Sequence, residues 1–295
     1  MLLVCLLFIS SLSFGVERLF YLMGTYAVID LPTEEEVYRA YRILREVERK
    51  ISSYIPDSEI SRLNRNAGIK SVKVSPLTAE MLRTSIYVSE RTFGFFDITI
   101  GALTINAKRK GLLSEEEARK LVSFRDLQVS GNRAFLRRKG MAVDPGGIGK
   151  GYALDVLRRN LRAKRGFVGI AGDMSLWGEE RTLAIKDPLR GGSLLQLVNR
   201  KDLCISTSGN YIKEHIEKSD RNLYQITVVH EVCALADAYA TALFSMPEDM
   251  RRRFYKENPD VGALELYRDG SIYMNGAFRE FFSVLLLKYE IKSQE

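Results

Sequence analysis

The order of strand-like and helix-like segments is the feature that most restricts how this chain can fold. Helical periodicity over residues 33–51, about 78–92 and about 231–246 is interleaved irregularly with short strand-like runs. Strict strand–helix–strand repeats would instead predict a doubly wound parallel sheet. The order therefore predicts an α+β fold, a single compact domain with mixed or mostly antiparallel sheets and flanking helices. The strand-like runs lie at residues 18–31, 134–144, 166–171, 182–186, 194–198, 203–207, 225–229, 262–267, 271–275 and 282–288.

The first residues are typical of a secretory leader. The run from Met1 to Ile9 is apolar but too short to span a bilayer. Ser13 and Gly15 then occupy the −3 and −1 positions of a cleavage site. We therefore expect a signal peptide over residues 1–15, a domain over residues 16–295 and a periplasmic or other extracytoplasmic location. The alternative is a buried N-terminal strand, since no Lys or Arg precedes the apolar run.

Two cysteines remain beyond the leader, Cys204 and Cys233. In an oxidising compartment they have the option of pairing, but separate buried thiols fit the sequence equally well.

The chain is basic, with a formal net charge of +7. Clusters such as Arg251-Arg252-Arg253 suit an anionic partner, yet no nucleic-acid-binding module accompanies them. We interpret them as solvated helix faces and expect no nucleic-acid partner.

The predicted helix at 231–246 carries two oxygen ligands on one face. Asp237 and Thr241 are four residues apart, which places a carboxylate and a hydroxyl one turn from each other. Such ligands suit Mg²⁺, which also takes oxygens from a substrate phosphate. An exposed aspartate and a back-bonded threonine would be the structural alternative.

A glycine-rich segment runs from Asp144 to Gly151 between a strand-like run and a helix. Its glycines free the backbone for close contact, and the helix N-terminus favours anions. The glycine spacing matches neither a Walker A loop nor a dinucleotide fingerprint. The two segments together predict a metal held beside a phosphate, and so a nucleotide-handling enzyme.

Two further segments have both a structural and a functional interpretation. Phe95, Phe96 and Asp97 join two rings to an acid, a combination that suits either heterocycle stacking or core packing. The histidines are only His215 and His230, which disfavours a zinc site. His215 follows the polar turn after residue 205 closely enough to act as an acid or base there.

Taken in order, these segments resemble the ApbE-type flavin transferases, the FAD:protein FMN transferases. The similarity covers about residues 23–246. The matching segments are Met23–Thr25, Tyr54 with Ser58–Asn64, Phe96–Thr99, Asp144–Ala153, Ala171–Asp173, Ile205–Gly209 and Ala236–Ala242.

The resemblance implies an ApbE-like fold and a Mg²⁺-dependent reaction that cleaves FAD, releases AMP and attaches FMN to a Thr or Ser hydroxyl of an acceptor protein. It implies Asp237, Thr241 and a backbone carbonyl near Gly147 as metal ligands, and His215 with Asp237 as catalytic residues. It places a further set of residues around FAD, the substrate: Met23, Tyr54, Phe95, Phe96, Asp97, Asp144 and Lys150. Redox-pump subunits are typical acceptors of the family, which is compatible with association with the inner membrane.

The chain departs from the family pattern after His215. The usual Asp-Pro-Arg-Thr-Gly stretch is missing, and the segment is shorter. This departure leaves two alternatives open: an FAD pyrophosphatase that gives FMN and AMP, and a non-catalytic FAD-binding protein. A milder change places Ala171 where the family usually has glycine.

Overall fold

The computed structural model describes residues 15–209 and 220–287, which form fourteen β-strands and eight α-helices. The strands are β1 (Val16–Leu22), β2 (Thr25–Leu31), β3 (Val72–Lys73), β4 (Leu127–Ser130), β5 (Arg133–Leu136), β6 (Gly166–Ile170), β7 (Asp173–Trp177), β8 (Thr182–Lys186), β9 (Ser193–Asn199), β10 (Leu203–Gly209), β11 (Leu223–His230), β12 (Gly262–Tyr267), β13 (Ile272–Met274) and β14 (Phe282–Leu287). The helices are α1 (Glu34–Ile51), α2 (Glu59–Arg65), α3 (Pro76–Arg91), α4 (Glu115–Lys120), α5 (Gly149–Asn160), α6 (Cys233–Ser245), α7 (Glu248–Glu257) and α8 (Gly276–Phe281). A π-helical segment covers Ala102–Arg109.

An eight-stranded antiparallel sheet forms the centre of the molecule, in the order β1-β2-β6-β7-β10-β11-β12-β13. Two three-stranded sheets accompany it, in the orders β14-β9-β8 and β3-β5-β4. The predicted α+β class with mostly antiparallel sheets is confirmed.

Both faces of the central sheet are covered, because alternate residues of its middle strands enter two different cores. Val168 and Ile170 of β6 pack into the larger core with α1, α3, α5 and α6. Phe167 of the same strand packs into the second core, formed with β8, β9, β14 and α8. A strand buried on both faces loses the alternation of polar and apolar residues, which explains the continuous apolar runs.

Side-chain caps fix the beginnings of three helices. Thr33 accepts a hydrogen bond from the Glu36 backbone N–H at α1, and Ser58 accepts one from Ser61 at α2. Helix α4 begins with a capping box between Ser114 and Glu117. Among the residues that the structure describes, no helix has both the length and the apolarity to cross a bilayer.

One strand is much shorter than expected. The run at 134–144 is a strand only as far as Leu136, where β5 ends. Further along, the Asn64 side chain donates to the Val143 carbonyl at 2.9 Å and accepts from the Val143 N–H at 2.7 Å. A side-chain amide therefore satisfies this backbone in place of a neighbouring strand.

Candidate active site

A cavity of about 680 Å³ opens between the β1–β2 turn, the residues after α1 and the glycine-rich segment. Its lining includes four of the residues that the family resemblance places around FAD: Met23, Tyr54, Asp144 and Lys150. These residues are separated by up to 127 positions in the chain, so only the tertiary fold brings them together. The cavity has the size of a small-molecule site.

Asp144 fixes the glycine-rich segment at its first residue. Its Oδ1 accepts from the Gly146 N–H at 3.0 Å, and its Oδ2 accepts from the Thr104 hydroxyl at 2.6 Å. The Asp144 N–H donates to the Ile98 carbonyl at 2.8 Å. Thr104 lies on the π-helical segment, a kind of helix found frequently at functional sites. Nothing in the local sequence marks Thr104 as a partner of Asp144.

Helices α5 and α6 approach closely because Gly151 has no side chain. A Cβ at this position would overlap the Cys233 carbonyl and lie 2.7 Å from Asp237 Cβ. The Gly151 N–H donates to Asp237 Oδ2 at 3.0 Å. Asp237 is only 2% exposed. The N-terminus of α5 therefore contacts a buried carboxylate of α6, which lies behind the cavity wall, 3.9 Å from the cavity-lining Lys150.

Thr241 lies one turn further along α6, against the glycine-rich segment. Its Oγ1 is buried and has no hydrogen-bond partner among the described residues. A Cβ at Gly147 would lie 3.0 Å from that oxygen. An unpartnered buried hydroxyl is costly, so its presence calls for a ligand. The oxygen donors of Asp237 and Thr241 beside an open glycine backbone fit a Mg²⁺ ion.

Lys150 brings a positive charge to the same place. Its Nζ lies 2.7 Å from Asp173 Oδ2 and 3.9 Å from Asp237 Oδ2. Burial alone would lower the pKa of Lys150, but the charges of Asp173 and Asp237 outweigh it and raise the pKa above its usual value. Lys150 is therefore a permanent cation at neutral pH. In the sequence, Asp173 stood out only as the last residue of the family-like segment Ala171–Asp173, with no role assigned to it.

Met23 reaches the cavity through a strained turn. Its φ is +52°, in the left-handed region, and Gly24 follows with φ +72°. The Met23 N–H donates to Glu48 Oε1 at 2.8 Å, and Arg45 holds the other oxygen of Glu48 at 2.5 Å. Glu48 also lines the cavity, although the helical pattern of α1 gives no sign of this role.

Tyr54 lies on the cavity rim with 79% of its surface exposed. The Arg109 guanidinium carbon is 4.1 Å from the centre of its ring, and Arg109 also donates to the Ser53 carbonyl at 3.0 Å. One face of the ring is therefore occupied by a cation, and Arg109 is a neighbour that the sequence did not suggest.

Phe95, Phe96 and Asp97 do not line this cavity. Phe96 is 4% exposed within the larger core. Asp97 accepts from Thr99 at Oδ1 and from the Phe124 N–H at Oδ2, and burial raises its pKa. In this structure Phe96 and Asp97 hold the segment that supports Asp144, and direct contact with FAD stays a prediction.

The structure describes only one of the two histidines. His215 lies outside the described residues, so its role stays a prediction. His230, at the end of β11, accepts from the Val232 N–H at Nδ1 and lies 3.0 Å from Asp260 at Nε2. Both ring nitrogens of His230 are therefore engaged in structural contacts.

Cys204 and Cys233 form a disulfide. The bond joins β10 to the first residue of α6, the helix that carries Asp237 and Thr241. Asp155 of α5 accepts from the backbone N–H groups of Cys233 and Ala234, both at 2.8 Å. The start of α6 is thus held from two sides, and the option of separate thiols is wrong.

This fold and this site belong to a known family. The ApbE family matches residues 23–264, and the chain is therefore a member of it. A relative from Vibrio cholerae serotype O1, named FAD:protein FMN transferase, is 25% identical over 278 residues, which cover 82% of this chain and 83% of the relative. A relative of the same name from Haemophilus influenzae is 24% identical over 275 residues, with coverages of 80% and 78%.

The solved structure of the flavin transferase ApbE from Vibrio cholerae is similar to this chain with a TM-score of 0.80. It is 25% identical, and the match covers 90% of this chain and 99% of that one. The family and the ApbE-like fold that the motifs predicted are confirmed.

Proposed function

We propose that this protein transfers FMN from FAD to a Thr or Ser hydroxyl of an acceptor protein, with Mg²⁺ as cofactor and AMP as the second product. The observation that carries the proposal is the unpartnered Thr241 hydroxyl, buried one turn from Asp237 and against Gly147. The names of its relatives support flavin transfer. A hard-oxygen metal site beside a nucleotide-sized cavity is what this reaction needs.

Asp237 and Thr241 would hold the metal, with a backbone carbonyl near Gly147 as a further ligand. When bound, Mg²⁺ would neutralise the pyrophosphate and stabilise the charge that develops on departing AMP. The Gly151 N–H keeps Asp237 in place through its 3.0 Å hydrogen bond. Because this bond comes from the backbone of α5, the carboxylate is oriented before any ligand arrives.

FAD would occupy the cavity lined by Met23, Tyr54, Asp144 and Lys150. Lys150 supplies a positive charge for the phosphates. Tyr54 offers an exposed aromatic surface whose position Arg109 fixes. Asp144, held by Thr104 and Gly146, keeps the glycine-rich backbone open toward the nucleotide.

In the transfer step, the acceptor oxygen would form a bond to the FMN phosphorus. The bond from that phosphorus to the bridging oxygen would break, and AMP would leave with the electron pair. The hydroxyl proton must pass to a base, and we assign this role to His215 from the resemblance alone. Asp237 would take part through the metal.

We extend the proposal to the location of the protein. The Cys204–Cys233 disulfide supports a periplasmic or other extracytoplasmic compartment, since disulfides persist where the environment is oxidising. The apolar leader supports the same location and an association with the inner membrane. A redox-pump subunit would then be a suitable acceptor.

The test is mass spectrometry of an acceptor domain with a Thr-containing flavinylation site, incubated with the protein, FAD and Mg²⁺, while AMP is measured in parallel. We expect the acceptor to gain the mass of FMN with matching AMP release. Asp237→Ala should abolish both signals, and Asp249→Ala, at an exposed carboxylate on α7, should leave them unchanged.

The other outcomes separate the alternatives. Steady AMP release without any acceptor labelled would favour an FAD pyrophosphatase. Tight FAD binding with neither product would favour a non-catalytic FAD-binding protein. Full activity of Asp237→Ala would overturn the assignment of the metal site.

A further inference from the structure

Lys150 lies between two buried carboxylates but is much closer to one of them. Its Nζ is 2.7 Å from Asp173 Oδ2, within hydrogen-bond distance, and 3.9 Å from Asp237 Oδ2, beyond it. Asp173 and Asp237 are 4% and 2% exposed. The ammonium group is therefore anchored to Asp173 and is only a neighbour of Asp237.

The Asp173 carboxylate is itself held rigidly. The Ser206 hydroxyl donates to Asp173 Oδ1 at 2.5 Å, and the two residues are directly paired across β7 and β10. Ser206 is 3% exposed. One oxygen of Asp173 is thus bound to the sheet, and the other faces Lys150. This contact sets where the cation lies.

A cation near Asp237 opposes the binding of a divalent metal there. Charges separated by 3 to 4 Å interact strongly in a poorly solvated site, and two cations compete for a single carboxylate. Asp173 and Asp237 are the carboxylates that Lys150 contacts within the described part of the chain, so without Asp173 the ammonium group would turn to Asp237. Lys150 would then occupy the carboxylate that the metal needs.

We propose that Asp173 is a positioning residue that holds the Lys150 ammonium group away from Asp237 and so keeps Asp237 available to the metal. The inference rests on the proposed function, because it presumes a divalent metal at Asp237 and Thr241. Asp173 itself binds neither the metal nor FAD in this scheme. It acts through Lys150, which lines the cavity and whose charge still attracts the substrate phosphates.

The test measures metal affinity rather than transfer. Mn²⁺ is titrated into each variant with no acceptor and at an FAD concentration that saturates that variant, because Lys150 also lines the FAD cavity. Free Mn²⁺ is quantified by electron paramagnetic resonance. Asp173→Asn should bind Mn²⁺ at least about tenfold more weakly than the wild type. The double variant Asp173→Asn with Lys150→Met should return to within about threefold of the wild type, because the competing cation is gone.

Asp30→Asn is the matched control. Asp30 is also buried and paired with a cation at 2.7 Å, but that cation is Arg181 rather than Lys150. We expect Asp30→Asn to bind Mn²⁺ as tightly as the wild type, even if the variant is less stable to heat. This variant separates the loss of a buried ion pair from the release of Lys150.

The inference fails if Asp173→Asn binds Mn²⁺ as tightly as the wild type. It also fails if the double variant stays as weak as Asp173→Asn, since Asp173 would then not act through Lys150. If Asp173→Asn does not fold, Ser206→Ala takes its place. We expect Ser206→Ala to lose less Mn²⁺ affinity than Asp173→Asn, and Lys150→Met to restore that affinity. A wild type that binds no Mn²⁺ overturns the metal part of the proposed function itself, and the inference with it.

Discussion

Gly147 packs directly against Thr241: a Cβ at position 147 would lie 3.0 Å from both Oγ1 and Cγ2 of the threonine. The glycine-rich segment and α6 therefore meet at a contact that leaves the threonine hydroxyl buried and unpartnered. Any side chain at position 147 would crowd the Thr241 hydroxyl.

Thr241→Val should stabilise the metal-free protein and remove its response to Mg²⁺. Valine has nearly the shape of threonine but lacks the hydroxyl that is buried without a partner, so we expect a gain of about 1 kcal/mol in the free energy of unfolding. Thermal unfolding with and without Mg²⁺ and FAD measures both effects. Thr241→Ser is the control that keeps the oxygen, and a Mg²⁺ response in the valine variant would contradict the assignment.

Loss of the Cys204–Cys233 disulfide should destabilise the protein by about 3 kcal/mol, since the bond spans 29 residues and restricts the unfolded chain. The measurement is urea-induced unfolding of the oxidised wild type and of the Cys204→Ser, Cys233→Ser double variant. A reducing agent should lower the wild-type midpoint and leave that of the double variant unchanged. Equal midpoints for the oxidised wild type and the double variant would show that the bond contributes nothing.

Glu265→Gln should reduce the stability of the protein at pH 7. It should also make that stability vary less with pH in the acid range. Glu265 is fully buried between Arg251 and Arg252. Burial favours the neutral acid, but the arginines outweigh it and lower the Glu265 pKa below its usual 4.5. A lowered pKa stabilises the folded state above about pH 4.5, and this contribution is lost as the pH falls through the folded-state pKa.

We expect the substitution to cost about 3–5 kcal/mol at pH 7, because it leaves buried arginines without their partner. Thermal unfolding of both proteins between pH 3 and pH 7 measures the cost and the slope. Glu248→Gln, at an exposed partner of Arg252, is the control and should change neither. If the stability of Glu265→Gln and that of the wild type changed in parallel between pH 3 and pH 7, Glu265 would not be the group that links stability to pH.

Ala171→Gly should stabilise the protein by about 0.5–1 kcal/mol. Ala171 has a φ of +53° in the turn between β6 and β7, where a Cβ is unfavourable. Glycine relieves this strain at a smaller cost in unfolded-chain entropy. Chemical denaturation measures the gain, and Ala163→Gly, outside the helices and strands, provides a comparison without a positive φ. A loss of stability in Ala171→Gly would mean that the turn carries no strain.

The sequence predicts well those helices whose apolar residues recur on the face that packs into the core. Helix α1 has both a cap at Thr33 and an apolar face that packs into the larger core. The interpretation of Arg251-Arg252-Arg253 as a solvated helix face is wrong for Arg251, which is fully buried in α7. Its charge is tolerated in the core because Glu265 and Asp220 neutralise it, and such partners cannot be read from the local sequence. The π-helical segment Ala102–Arg109 was missed because its hydrogen bonds do not follow the 3.6-residue period of an α-helix.

The sequence by itself determined the fold class, the family and the pairing of Asp237 with Thr241, because these follow from local spacing and from the order of short motifs. Only the tertiary structure decided what surrounds them. The anchoring of Lys150 by Asp173, the contact of Thr104 with Asp144 and the disulfide between Cys204 and Cys233 join residues 23 to 40 positions apart. No local periodicity encodes such contacts, because they depend on how the sheet brings its strands and helices together.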